Sequence, residues 1–593
     1  MRDFFAHFSN HSQYTRKALD YFVSLFPDAH NEIRNVNGIT IIYSADSIDV
    51  SDKISLYCPI RKANLFISGK YDIPEHLGKS TNEKTNNEFR IVELFETHGE
   101  KLFESLSGSF NVLIWYPDQY ILKVINSKLG LYPLYYSFRN GSLALSTRLG
   151  IFRDILKPVK INYAVLMQHC LYNYPVSAQT FLEGIFLLPS ASVLILKNDL
   201  ISIQKYWSVT DVFTTGTNFK TLRQSTELLD DILDRKIMKI CSGNTNLALS
   251  LTGGWDGRLL LSYALKYVAP EQILLYSHGT LDNPDVKLPM ATAKKMNYKY
   301  VPVLLSNREY EKDQLQWAGD TVKYSDGLRQ ISRLHYLYNM HLLNKEYRVQ
   351  QVISGIGGSN LLKSTNYKPC DVFNRFVIEL IESDNLDHTL KGHYDYCMQN
   401  NSALFNQIDF EAFKSSFDIE MFRDLHSIKN KNKRFITFLI AEIERRYFGT
   451  ELQSYKHLIK NYSPFFDDDF ISALGMTIFF DSNSDKGLAK SHHISMLYAK
   501  LTTRNNITLA KEPTDRGFSM YEVANPLLFP KMLLKYFRHK LVKAKDVNYF
   551  NQKSILQSYT NRYFPDIVFH ADGNSLNNLF MENYVSAISF IVE

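Results

Sequence analysis

The sequence predicts a two-domain protein of mixed α/β and α+β class: a strand-rich layered domain over residues 1–210, then a parallel-sheet domain over residues 211–593 that ends in a helical extension. Three observations predict it. A chain of 593 residues exceeds what one hydrophobic core usually supports, so two or more cores are expected. Short runs rich in β-branched and aromatic residues, bounded by turn residues, fill the first third. From residue 246 onward, apolar runs of strand length alternate with helical periodicity, the pattern of a parallel sheet with right-handed crossovers.

In chain order, strands are expected at 38–43, 63–68, 111–116, 120–126, 143–146 and 192–196. A helix over Asn87–His98 interrupts them, since Ile91, Leu94 and Phe95 recur at helical spacing ahead of Gly99. Residues 211–218, Asp-Val-Phe-Thr-Thr-Gly-Thr-Asn, read as a polar, turn-prone joint. Leu228, Leu229, Ile232, Leu233 and Ile237 then mark one side of an amphipathic helix over 225–240. Strands follow at 246–251, 272–277 and 300–305, with helices between them at about 256–267 and 285–296. Beyond residue 370 the pattern is mostly helical.

Composition narrows the class. With 45% hydrophobic and 22% charged residues, 37 Tyr and 39 Phe, the chain has the makings of well-filled cores and not of long disorder. A net charge of +6 is mild for this length. Basic residues cluster only late, at Lys531, Lys535, Arg538, His539, Lys540, Lys543 and Lys545, which read as a solvated helix face in preference to a nucleic-acid surface. Cys58, Cys170, Cys241, Cys370 and Cys397 form no CxxC or zinc-like group and read as reduced thiols. No apolar run approaches the ~18–20 residues of a membrane helix, and the first residues lack a signal-peptide pattern. The expectation is a cytoplasmic protein with no membrane partner; a homodimer is left open.

The informative segment is Leu251-Thr252-Gly253-Gly254-Trp255-Asp256-Gly257-Arg258. It leaves an expected strand and opens an expected helix, the junction where open α/β sheets bind ligands. Gly253 and Gly254 allow backbone amides to approach a phosphate, helped by the helix N-terminus. Thr252 adds a hydroxyl, and Asp256 stands where a carboxylate can hold Mg²⁺ bridging phosphates. A Walker A loop would need Gly-Lys-Ser/Thr and a dinucleotide fingerprint GxGxxG; neither is present here. The competing reading is a glycine turn that merely joins strand to helix.

Thr252–Gly257 resembles the Ser-Gly-Gly-x-Asp-Ser motif of N-type ATP pyrophosphatases, in the form found among asparagine-synthetase-like proteins. Gly108-Ser-Phe-Asn-Val-Leu-Ile-Trp115, with Asn126-Ser-Lys-Leu-Gly130-Leu-Tyr-Pro133-Leu-Tyr-Tyr136, resembles the class II glutamine amidotransferase stretch of the same family. Ser146-Thr-Arg148, Glu183-Gly-Ile-Phe-Leu-Leu-Pro189 and Ser463-Pro-Phe-Phe-Asp467 follow in the family's order. The resemblance implies an Ntn-type, αββα-like sandwich followed by an ATP-pyrophosphatase domain. It also implies ATP and Mg²⁺, with adenine read near Tyr276-Ser277-His278. Ser354-Gly355-Ile356-Gly357-Gly358-Ser359-Asn360 corresponds to the family's Gly-Glu-Gly-x-Asp-Glu loop, and Lys511 and Arg516 are implied as cations for departing pyrophosphate.

The departures matter as much. Class II glutaminases use an N-terminal Cys whose freed amine serves as its base. Residue 2 is Arg, and Asn126-Ser127 stands where Arg-Asp is usual, so glutamine hydrolysis is not expected. In this respect the chain resembles β-lactam synthetases and lasso-peptide cyclases. A Tyr/Glu base pair like theirs would have to come from Tyr367, Glu379 or Glu382. The two acids expected at Ser359 and Asn360 are missing, which leaves metal binding to Asp256 and a second acid such as Asp285.

The functional expectation is an ATP-dependent amide ligase without its own glutaminase, taking a small-molecule or peptide carboxylate and an amine donor. The alternatives are a catalytically degenerate binding protein of the same fold and, with only the late basic cluster behind it, a pyrophosphatase chemistry on RNA.

Overall fold

The structure, a computed structural model, describes residues 3–8, 12–45, 55–74, 77, 87–215, 219, 221–243, 246–305, 308–362, 372–480, 487–542, 552–563 and 575–592. Tyr367, Cys370, Lys543 and Lys545 lie outside them.

Residues 3–205 build two six-stranded sheets, each antiparallel throughout. Both faces of each sheet are covered, and the sequence shows why. Along Ser107–Tyr116, Leu113 and Trp115 join the cluster between the sheets, whereas Phe110, Val112 and Ile114 pack under helices Asn87–His98 and Lys101–Ser105. In the other sheet Phe4, Ala6, Ile41 and Tyr43 face inward, while Phe5 and Ile42 meet helices Ser12–Leu25 and Gly150–Ile155. Period-two alternation with apolar residues on both faces leaves only this four-layer arrangement of helices, sheet, sheet and helices.

The third sheet has five strands, all parallel, in the order Tyr300–Leu304, Ile273–Gly279, Leu247–Ser250, Gln351–Ile353, Lys460–Tyr462. The expected three-strand run is thus extended by two short strands that are too brief to announce themselves. The remaining residues of this half are predominantly helical. A buried ion pair, Arg148 Nη2 to Asp326 Oδ1 at 3.1 Å, ties the sandwich to the helical layer, and the Leu149 amide donates to Asp326 Oδ2 at 3.0 Å.

Two sequence expectations change. Residues 211–218 were expected to form a turn-prone joint, yet Val209–Thr214 is a short helix, with the Ser208 hydroxyl accepting from the Thr210 amide. Val209 and Phe213, four residues apart, are both buried, and that pair pulls the segment into a helix. Strands Asp3–Phe8 and His30–Val36 were not expected: the first is buried on both faces and shows no alternation, and the second is a polar edge.

Candidate functional site

The five-strand order places the first strand, Leu247–Ser250, beside the fourth, Gln351–Ile353, so the chain reverses its winding direction there. Ligand crevices open at such switch points, at the carboxyl ends of the strands. Here a cavity of about 200 Å³ lies between the two loops that leave those strands, lined among others by Thr252, Asp256, Gly257, Ser354, Gly355 and Ile356.

Glycines let these loops close on one another. A Cβ on Gly257 would stand 2.4 Å from the Ser250 carbonyl oxygen, and one on Gly355 would stand 2.6 Å from Asp256 Cβ. Gly357 has φ +87°, where its Cβ would meet Phe466 at 2.4 Å. Gly355→Ala is therefore expected to push the glycine loop off Asp256. It should cost about 1–3 kcal/mol of stability, the usual scale of overpacking, as read by denaturant titration.

The turn's own amides are engaged internally. The Gly254 N–H donates to Thr252 Oγ1 at 3.2 Å, and the Gly253 N–H donates to Asp285 Oδ1 at 3.0 Å. The Asp285 carboxyl titrates above its ordinary range, mainly because it is buried. Asp256 accepts from the Ser359 hydroxyl, so the position from which the family-type acid is missing lies directly across from the motif acid. The buried phenol of Tyr498 sits beside Asp256, and burial with that neighbouring charge drives its pKa up. Asp256, Ser359 and Thr252 form an all-oxygen donor set. Together with substrate phosphates, a single carboxylate and hydroxyls fit Mg²⁺, which keeps several of its own waters.

The segment 511–517 closes over the turn. The Asp515 amide donates to the Gly253 carbonyl at 2.9 Å, and Arg258 Nη2 donates to the Pro513 carbonyl at 2.8 Å. Arg258 is fully buried, and burial lowers its pKa to about 10. Arg516 lies 4.4 Å over the Trp255 ring, at the turn, whereas exposed Lys511 stands 5.0 Å over Tyr521; neither lines the cavity. The two implied cations therefore part company. Leu251 is buried in the sheet extension, with its amide bonded to the Tyr276 carbonyl. Ser277 bonds Tyr300 at 2.6 Å, so its hydroxyl is directed away; its neighbours Tyr276 and His278 line the cavity instead.

Several lining residues had no sequence signal. Tyr336, Asn339 and Met340 come from helix Leu334–Tyr347, and Tyr455 and Asn461 from near the last strand. Asn339 is 1% exposed, and its Oδ1 has no hydrogen-bond partner among the described residues. Burial, reinforced by Arg333, lowers the His278 pKa to about 4, so its imidazole is neutral at pH 7. The acidic triad Asp467, Asp468 and Asp469 has metal-like spacing, but each acid already pairs with a lysine, Lys236 for Asp467 and Asp469 and Lys128 for Asp468.

Residues 75–207 match the model of a family described as a glutamine amidotransferase domain. Over 238 residues the chain is 23% identical to a Methanocaldococcus jannaschii protein named as an asparagine synthetase (glutamine-hydrolysing), covering 38% of this chain and 40% of that protein. The chain thus matches well under two thirds of that relative's length. Among solved structures, a B. subtilis glutamine phosphoribosylpyrophosphate amidotransferase overlaps 52% of this chain and 66% of its own, with 9% identity and a TM-score of 0.24. An allosteric regulatory enzyme of purine biosynthesis overlaps 51% of this chain and 80% of its own, with 7% identity and a TM-score of 0.26. At such scores the structural overlaps decide neither fold nor function. Among the described residues no helix is long and apolar enough to cross a membrane.

Proposed function

We propose that the chain is an asparagine-synthetase-like amide ligase that uses ATP to adenylate a carboxylate and passes the acyl group to an amine. The observation that carries this reading is the switch-point cavity, where Thr252, Asp256 and Gly257, on the loop that carries the Gly253–Gly254 turn, meet Ser354, Gly355 and Ile356 at the end of one parallel sheet. A substrate carboxylate oxygen bonds the α-phosphorus of the substrate ATP as the bond to pyrophosphate breaks. The amine then bonds the acyl carbon and AMP departs. Charge builds on the leaving pyrophosphate, which Arg516 and the amides of the turn, once released from Asp285 and Thr252, would stabilise. The Gly253 amide must first exchange its Asp285 partner for a phosphate oxygen. Asp256, with Ser359 and Thr252, would hold Mg²⁺, whose charge screens the phosphates.

Glutamine hydrolysis is left out of this proposal. Cys58 and Cys170 of the sandwich are buried, and burial drives the Cys170 thiol well above its ordinary range. Pyrophosphate release from ATP and Mg²⁺ across a panel of carboxylates tests the ligase reading. The second reading, a degenerate binding protein, is favoured by Ser359 and by the Gly253 amide being already satisfied. Binding of ATP without release on any carboxylate would select it.

Asn339 supplies a sharper check. A carboxamide offers the donor and acceptor that an adenine edge requires. Asn339→Leu is expected to weaken ATP binding about tenfold while leaving inorganic pyrophosphate binding unchanged, measured by titration calorimetry. Equal loss for both ligands would place Asn339 away from the base.

A further inference from the structure

A cavity of about 120 Å³ shares no lining residue with the switch-point cavity. Lys128, Pro189 and Ser190 line it from the sandwich, and Thr437, Ala441 and Arg445 from the helical half. The last two belong to Leu439–Phe448, a stretch of π-helix, a rare form that recurs at functional sites. Arg445 is 4% exposed, and its Nη2 donates to the Leu188 carbonyl, a neutral acceptor. Its Nε has no hydrogen-bond partner among the described residues. Neither has the hydroxyl of Thr437, which is 3% exposed. Glu442, one turn back, is already bonded to Arg446. Burial lowers the Arg445 pKa to about 9, and Arg446 pushes the same way, so the group is still a cation at pH 7. A buried cation that bonds no acid is costly, and a bound oxyanion would remove that cost.

We propose that this cavity binds a short-chain carboxylate, its oxyanion on Arg445 and Thr437 and its hydrocarbon body against the apolar wall. A planar carboxylate matches the donor fork of a guanidinium, and a hydroxyl completes it. Leu129, Val176, Trp207, Val209, Phe438 and Ile440 line the same cavity, so a ligand gains by carrying hydrocarbon, which inorganic phosphate lacks. The volume is well below the ~300 Å³ at which sites for larger ligands begin, which limits the body to a few carbons. The other charges do not supply the missing partner. Lys128 bonds Asp468 at 3.2 Å. Lys205, Asp418 and Asp424 also line the cavity but are exposed, so water and salt screen them, whereas Arg445 has no such screen. A ligand seated here touches both halves of the chain and would hold them together. The assignment is independent of the ligase reading, since it uses no residue of that site.

The test is saturation-transfer NMR and thermal melting of the full chain with isovalerate, set against isovaleramide, its uncharged counterpart, and against inorganic phosphate. Isovalerate is expected to bind and to raise the melting temperature as its concentration rises. The amide should bind about tenfold more weakly, the loss of one charge-assisted hydrogen bond, and phosphate should not displace the acid. Thr437→Val removes a buried hydroxyl that bonds nothing among the described residues, so the variant keeps its fold while its affinity falls about tenfold. Ala441→Leu fills the cavity and should abolish binding, as should Arg445→Gln, which keeps a donor for the Leu188 carbonyl. No binding of isovalerate, an amide that binds as well as the acid, displacement by phosphate, or full binding in both Thr437→Val and Ala441→Leu would overturn the assignment.

Discussion

Asp256→Ala is expected to lower carboxylate-dependent pyrophosphate release by more than about a hundredfold, the scale set by removing a group that stabilises transition-state charge. The reason lies in what surrounds it. Asp256 opens the helix Asp256–Ala264 at the mouth of the central strand and accepts from Ser359, the residue that replaces a second acid. On the ligase reading Asp256 is the carboxylate that lines the cavity itself, whereas Asp285 is tied to the Gly253 amide. Asp256→Asn is the cleaner variant, because it keeps the shape and removes the charge. Its melting temperature should stay near that of the parent while release collapses. A rate unchanged in both variants would take this site out of the reaction.

Glu451→Ala is expected to cost about 3–5 kcal/mol of folding stability, the penalty for leaving buried charge without its partner. Glu451 Oε2 accepts from Arg329 Nη2 at 2.6 Å and from Arg333 Nη2 at 2.7 Å, and the side chains of Glu451 and Arg329 are 4% and 1% exposed. The Tyr447 ring lies 3.8 Å from the Arg329 guanidinium, so water has little access to solvate it. Burial alone would raise the Glu451 pKa, but the two guanidiniums override it and hold the carboxyl below its ordinary value. A carboxyl depressed in the folded state contributes stability above its unfolded pKa and loses it as pH falls through the folded pKa. Wild type should therefore be acid-labile in that range, and the variant less steeply so. Denaturant titration reads both effects, and a loss under about 1 kcal/mol would mean that water or relaxation reaches the guanidiniums. Because Arg333 also depresses His278, the variant should disturb the switch-point cavity as well as the fold.

Much of this was legible in the chain. The helix over Asn87–His98 follows from its apolar spacing, and the parallel strands follow from apolar runs set between amphipathic helices. The Gly-Gly-x-Asp turn stands out by its place between an apolar strand and a helix, although a plain connecting turn would look the same in the sequence. Loop 354–358 was readable only by likeness, and its contact with Asp256 was not readable at all. That contact depends on strand Gln351–Ile353 pairing with Leu247–Ser250 across a hundred residues of chain. The same limit separated Arg516 from Lys511, since spacing does not say which way a loop cation turns.

By itself, then, the sequence determined the local order: which segments are strands or helices, which faces are apolar, and where glycines loosen the backbone at a strand–helix junction. These follow from side-chain periodicity and glycine's conformational freedom, both of which act over a few residues. Only the tertiary structure decided that Ser359 answers Asp256 and that Asn339 reaches the cavity with its Oδ1 unpartnered among the described residues. Those relations arise from strand order and packing between distant segments, and no local pattern of residues encodes them.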